Sequence, residues 1–408
     1  MQPFRALRPA PGQAAAVAAP PYDVLNTAEA RLRAAGRPAS FLHISKPEID
    51  LPDGTDPYAP VVYATGAANL RRLIDDGILE RDAEPHYYVY RLRMGNHVQT
   101  GIAGVGSVAE YDRNRIRKHE FTRPDKEDDR VRQITALNAQ TGPVLLAYRS
   151  DAELARLVAT QAEGTPEYDV TADDGVVHTI WVVRDPATIS AITQAFDGMA
   201  SLYIADGHHR SASASRVAAA RRADRKAATG TAAECFLCVA FPHDQMRIFD
   251  YNRVVRDLNG LSPAEFLARL APAFAVAPSA TEARPGRPGE FGMYLGGRWH
   301  RLEIKPALIP DDPVASLDVS LLQQNLLGPI LGIGDPRRDK RIDFVGGIRG
   351  LGELERRVDG GEMAVAFALH PTSLEALMRV ADANEVMPPK STWFEPKLAD
   401  GLLSHVLD

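Results

Sequence analysis

Cysteine is nearly missing from this chain: 2 of its 408 residues, Cys235 and Cys238. That excludes a disulfide framework. The pair forms a C-x-x-C inside Glu234-Cys235-Phe236-Leu237-Cys238-Val239-Ala240. Its flanks read as a buried strand, whereas a thioredoxin motif opens a helix and a zinc site needs a second ligand pair. The two read as small core residues in a reducing compartment. Long apolar runs are also missing: no stretch approaches the roughly 18 residues of a membrane span. Residues 1–20 are alanine-rich, but prolines, a glycine and a glutamine interrupt them, and no apolar region follows a basic start. A cytoplasmic protein is the expectation. Excess positive charge is absent too. The formal net charge is −6 and the pI near 6.0, which gives no general electrostatic reason to bind nucleic acid. No G-x-G-x-x-G, G-x-S-x-G or complete Walker motif occurs, which argues against the common dinucleotide, hydrolase and P-loop classes.

What is present is ordinary globular material, 45% hydrophobic and 25% charged, in a chain long enough for two cores. Residues 86–94 read as a strand, turning at Gly95-Asn96 into a second over 97–111. Residues 125–140 read as a helix with acids near its start, closed by Gly142-Pro143. Residues 144–148 read as a strand, and Ser150-Asp151-Ala152-Glu153 as a capping box. Further strands are expected over 177–183, 201–205, 236–241, 245–249 and 363–369. Helices are expected over 186–196, 209–226, 263–271, 318–331 and 372–384. Residues 227–233 read as a small-residue link, residues 278–288 as a flexible loop, and 292–304 as a hairpin turning at Gly296-Gly297. Strands and helices alternate irregularly, so the fold class is α/β with a mixed sheet of α+β character.

Four segments carry chemistry. In Leu202-Tyr203-Ile204-Ala205-Asp206-Gly207-His208-His209-Arg210 an apolar strand runs into glycine and a helix start. Free amides there, with a glycine that permits close approach, suit an anion. Asp206 is a cap, a general base or a metal holder. Adjacent histidines on a helix point about 100° apart, so one metal held by both is not expected. In the charged run of residues 117–130, Glu120 beside His119 offers an acid/base pair, and Arg123 and Lys126 offer phosphate contacts. The run lacks the second histidine of H-E-x-x-H, which excludes a zincin. In Met387-Pro388-Pro389-Lys390-Ser391-Thr392-Trp393-Phe394-Glu395-Pro396-Lys397, cations and hydroxyls stand between rigid prolines, with Trp393 and Phe394 as anchors. In Ala19-Pro20-Pro21-Tyr22-Asp23-Val24 the proline pair presents Tyr22 and Asp23 in a fixed direction.

In this order, the four segments resemble a bacterial and archaeal family of uncharacterised proteins often labelled SpoOJ/ParB-like. The Asp206–Arg210 segment also resembles the phosphate-binding turn of the ParB/sulfiredoxin superfamily, whose members include sulfiredoxins, CTP-binding ParB proteins and free-serine kinases. His208 and His209 stand where a sulfiredoxin has cysteine, no helix-turn-helix is evident, and the free-serine kinases share an Asp-Gly-His-type turn. The resemblance implies a nucleotide-binding core over residues 1–230 and a second α/β region over 231–408 closing on it. It implies phosphoryl transfer from ATP or ADP, with Mg²⁺, to a small hydroxyl metabolite such as free L-serine. Gly207, His208, His209, Arg210, His119, Arg123 and Lys126 would then hold phosphate. Tyr22, Lys390, Ser391, Thr392 and Lys397 would hold the substrate. Asp206, Glu120 or Asp23 would take the hydroxyl proton. Two other readings stay open: a ParB-type nucleotide switch without turnover, and a nucleic-acid-binding partition protein, which the acidic balance opposes.

Overall fold

The structure, a computed structural model, describes residues 1–224 and 231–408. The chain is mixed α/β, as its irregular alternation of patterns predicts. It divides into two compact units, one of Met1–Met246 with Pro396–Asp408, the other Arg247–Glu395. The division falls beyond residue 230 because the strand Cys235–Pro242 is an inner strand of the first unit's sheet. It lies between Val144–Tyr148, to which it is parallel, and His97–Ser107, to which it is antiparallel.

That eight-stranded sheet runs, edge to edge, Ile116–Arg117, Leu202–Asp206, Val144–Tyr148, Cys235–Pro242, His97–Ser107, Tyr87–Met94, Val177–Val183, Tyr168–Thr171. Val144–Tyr148 and Cys235–Pro242 are buried at every position, as their unbroken apolar runs require of strands covered on both faces. Both cysteines are free and buried there. Tyr148, Phe196 and Phe236 fill the core under the sheet. Tyr148 and Phe196 meet edge to face at 5.6 Å, an arrangement worth roughly 0.5–1.5 kcal/mol beyond their area burial. A small second sheet stitches the chain's start to its end: Leu79–Arg81, Ala6–Pro9, Ser404–Val406, Ala139–Gln140.

The second unit is built on a six-stranded sheet, Phe274–Ser279, Arg298–Ile304, Glu290–Leu295, Val365–Leu369, Tyr251–Val255, Ile342–Gly346, antiparallel throughout. The Gly296-Gly297 hairpin forms as expected. Both glycines have positive φ, 57° and 78°, as a two-residue turn matching strand twist demands.

Several local expectations are corrected. The helix over Pro124–Leu137 stops at Asn138, which takes the left-handed conformation at φ 51°, before Gly142-Pro143 is reached. The helix Ala152–Gln161 is capped by Asp151, whose side chain accepts from the Leu154 amide, and not by Ser150. Asp206 ends its strand, and Gly207 takes the N-cap position of His208–Ala223. The expected end of that helix at 226 and the link over 227–233 fall partly outside the described residues. The helix from Asp318 is α-helical only to Leu322, then widens into a π turn over Gln323–Leu327. Among the described residues, no helix is long and apolar enough to cross a membrane.

Candidate active site

Ile116–Arg117 pairs in parallel with Leu202–Asp206, so both strands end on the same side of the sheet. The loop after Arg117 and the Asp206-Gly207 turn therefore leave the sheet side by side. Gly207 sits at φ 99°, ψ 27°, where an L side chain is strained. A Cβ there would stand 2.9 Å from Nε and 3.2 Å from Cζ of Arg210, so the guanidinium lies against the bare glycine. The helix that follows has no side-chain cap, which leaves its first amides available to an anion. Gly207→Ala is expected to cost about 1–2 kcal/mol in urea unfolding and to push Arg210 aside. A loss under about 0.5 kcal/mol would show that the turn does not need glycine.

Asp206 is the node of the turn. Lys397 Nζ donates to its Oδ2 at 3.1 Å, and Arg210 Nη2 stands 3.6 Å from the same oxygen. Arg210 Nη1 donates to the Pro143 carbonyl at 2.7 Å, which fixes the fork. Burial alone would raise the Asp206 carboxyl. The charges of Lys397 and Arg210 overcome it and hold the group far below the usual carboxylate range. Two cations thus converge on one carboxylate oxygen.

The histidines clip the neighbouring loop. His208 Nε2 accepts from the His119 amide at 3.4 Å, and His209 Nε2 accepts from the Arg123 amide at 3.0 Å. The His119 and His208 rings meet edge to face at 4.4 Å. Burial pushes His119 down to about 4 and His208 well below the ordinary histidine value, so both rings are neutral near pH 7. Glu120, half exposed, brings Oε2 to 3.7 Å from His208 Nδ1. Among the described residues, neither buried ring nitrogen of His119 has a hydrogen-bond partner, and the Ile204 carbonyl acts on the ring without hydrogen-bond geometry. One ligand atom each from His119, Glu120 and His208 lie within 4.8 Å of one another. Two imidazoles and a carboxylate are the donor set of a borderline transition metal, whereas Mg²⁺ takes oxygen.

A second carboxyl backs the site. Ala19 and Asp400 exchange backbone hydrogen bonds, 3.1 and 2.9 Å, which brings the Pro20-Pro21-Tyr22-Asp23 segment to the chain's end. Asp400, Arg210, Arg130, Tyr22 and Gly142 line a cavity of ≈ 30 Å³. Asp400 is 1% exposed, and its Oδ1 has no hydrogen-bond partner among the described residues. Burial pushes its carboxyl up to about 7 against the pull of Arg210 and Arg130, with Asp23 adding to the rise. The Arg130 guanidinium stacks over the Tyr22 ring at 4.0 Å and donates twice to Asp129, at 2.9 and 2.6 Å. Burial raises the Tyr22 hydroxyl to about 12 despite that cation.

Asp206, Gly207, His208, His209, Arg210, His119, Glu120 and Lys397 are thus gathered in the first unit, with Tyr22 beside Arg210 in the cavity lining. Asp23 is exposed on the short turn after Pro21. The Arg123 guanidinium lies outward, 69% exposed, on the Asp125 carboxylate. Lys126 Nζ donates to the Tyr58 hydroxyl at 2.8 Å. Lys390, Ser391 and Thr392 belong to the second unit. There Ser391 Oγ donates to the Pro388 carbonyl at 2.6 Å, and Thr372 Oγ1 to the Ser391 carbonyl at 2.9 Å. Asp400 and Arg130 escaped the sequence reading. A signal for Asp400 was present: Ala205-Asp206-Gly207 is repeated as Ala399-Asp400-Gly401, and both glycines have positive φ, 99° and 88°.

A family model described as "Protein of unknown function (DUF1015)" matches residues 1–320. No curated protein sequence matches the chain. Among solved structures, a free serine kinase in complex with AMP is similar at a TM-score of 0.36 and 13% identity, over 74% of this chain and 92% of that one. A conserved hypothetical protein from Pyrococcus furiosus is similar at a TM-score of 0.36 and 14% identity, over 74% and 94%. SbnI from Staphylococcus aureus, truncated at its C-terminus, is similar at a TM-score of 0.38 and 11% identity, over 73% and 85%.

Proposed function

This chain belongs to the DUF1015 family, and we propose that its first unit moves a phosphoryl group from a nucleotide to the hydroxyl of a small metabolite, L-serine giving O-phosphoserine. One observation carries the reading: Lys397 and Arg210 converge on Oδ2 of Asp206 beside an uncapped helix N-terminus. A loosely bonded phosphoryl group in transfer asks little covalent chemistry of the protein and a great deal of fixed positive charge. In this reading Asp206 is a positioning residue. Its carboxyl, held ionised by two cations, is too weak a base to take a hydroxyl proton. It holds Lys397 and Arg210 where the transferring oxygens would sit, and the first amides of the helix add donors.

The proton acceptor we assign is Glu120, which is half exposed and next to buried His208. The serine oxygen forms its bond to phosphorus as the bond to the nucleotide's bridging oxygen breaks. The hydroxyl proton passes to Glu120, and ATP leaves as ADP, or ADP as AMP. Asp23, exposed on the turn after Pro21, would receive the amino acid's ammonium group. Mg²⁺ is expected of such a reaction, but the donors here fit it poorly. Asp206 already carries two cations, and the clustered set beside it is two nitrogens and one carboxylate. No step is therefore assigned to Mg²⁺.

A second reading, a nucleotide-dependent switch without turnover, is favoured by one observation. The cavity beside Arg210 measures ≈ 30 Å³, room for about two waters and not for an amino acid. Incubation of the full chain with L-serine and either ATP or ADP, with and without Mg²⁺, separates the two. O-phosphoserine detected by mass spectrometry from either donor is the expected result. Nucleotide binding with no phosphoserine from either donor would replace the kinase reading by the switch.

A further inference from the structure

The second unit buries a cation that no carboxylate accompanies. Arg253 lies on the strand Tyr251–Val255, 4% exposed. Its guanidinium donates to the Tyr251 carbonyl and, at 2.9 Å, to the Lys390 carbonyl, and stands 5.3 Å from the Phe344 ring centre. All these partners are neutral, and among the described residues no ion pair reaches it. A guanidinium taken out of water without a counter-charge is costly. Burial accordingly pulls its pKa down to about 10.

The same arginine lines a cavity of ≈ 210 Å³ with Val314, Val319, Gln323, Leu327 and Pro388. An apolar cavity of about 150 Å³ holds benzene, so this one takes a small organic molecule. Gln323 opens the π turn, an irregularity frequent at functional sites. Its Nε2 donates to the Ile333 carbonyl at 2.6 Å, while its Oε1 is buried without a partner among the described residues. The Pro-Pro-Lys-Ser segment also acquires a place. Pro388 and Pro389 wall the cavity, and Lys390, left-handed at φ 60°, turns its carbonyl to Arg253.

We infer that the second unit binds a small apolar monocarboxylate, its carboxylate paired with Arg253 and its body held between Val319, Leu327 and the two prolines. The bound anion supplies the missing counter-charge, and a donor on the body would satisfy Gln323 Oε1. The inference is independent of phosphoryl transfer in the first unit.

Benzoate and its uncharged isostere benzamide test it by titration calorimetry on the full chain. Benzoate is expected to bind at least about tenfold tighter, the worth of one charge-assisted contact, and inorganic phosphate not to compete. Arg253→Met should remove the preference without lowering the unfolding midpoint, since it exchanges an unpaired buried charge for an apolar chain. Gln323→Glu, a near-isosteric change, should cut benzoate affinity about tenfold by placing a carboxylate in the cavity. Benzamide binding as tightly as benzoate, no benzoate binding at about 20 mM, competition by phosphate, or full benzoate affinity in either variant would each overturn the inference.

Discussion

Lys397→Met is expected to lower the turnover of the proposed phosphoserine formation by about 10²–10³-fold with little change in the apparent KM for serine, and Arg210→Ala to do the same. Both cations reach one oxygen of Asp206, at 3.1 and 3.6 Å, so their charge converges on one point of the turn. Charge placed where a transferring phosphoryl group gathers negative charge acts chiefly on the transition state, which is why the loss should fall on kcat. For Lys397→Met, loss of fold is not the expected cause. The Lys397 side chain is 24% exposed and that of Asp206 32% exposed, so solvent screens their pairing, and removing it should cost only about 1 kcal/mol. Lys397→Arg, which keeps the charge on a different fork, should recover part of the rate. Steady-state rates with unfolding midpoints measured in parallel decide the matter. A Lys397→Met protein within about threefold of the wild-type rate would leave the Asp206, Lys397 and Arg210 cluster without a catalytic role.

The turn that carries this prediction was legible because its signals are local. Leu202–Ala205 is apolar, Gly207 cannot continue a strand, and the Ala/Arg-rich run after it reads as a helix. The charged loop could be nominated for the same reason, since His119 and Glu120 stand where a strand gives way to a helix. That the two meet depends on a parallel pairing between Ile116–Arg117 and Leu202–Asp206, a contact across more than eighty residues with no local signature. The direction of the histidines was equally out of reach. Side-chain inventory makes them phosphate donors, but His208 and His209 spend their Nε2 atoms accepting loop amides. Tyr22 and Lys397 stand out in proline-bounded segments, and each reaches Arg210 or Asp206 only because the chain's last residues pair with its first. Lys390 to Thr392 looked like neighbours of Lys397 in one anion site. Proline-bounded segments read alike in sequence whichever core they join, and these residues join the second unit.

Asp400→Asn is expected to make the protein more stable at pH 8, by about 2–4 kcal/mol, while leaving it unchanged near pH 4. The folded protein holds this carboxyl up at about 7, chiefly by burial, from an ordinary value of 3.8. Between those two values the folded state binds more protons than the unfolded state. The wild-type contribution is therefore fully present below about pH 4, declines as pH rises through 7, and is flat above. Asparagine keeps the shape and never ionises, so the decline should vanish from the variant. Asp206 titrates in the opposite sense. Its folded pKa is depressed by Lys397 and Arg210, so its contribution is present above the ordinary value of 3.8 and is lost only as pH falls below it. The two Ala-Asp-Gly turns thus load stability at opposite ends of the pH scale, and only the second does so between pH 4 and 8. Urea unfolding at pH 4.5, 6 and 8 separates them. Parallel wild-type and Asp400→Asn profiles across that range would show that Asp400 is ionised throughout and that its buried Oδ1 is met by solvent. A variant that gains stability only at high pH would show that the folded protein keeps a carboxyl against Arg210 that takes up and releases its proton near pH 7, beside the Asp206-Gly207 turn.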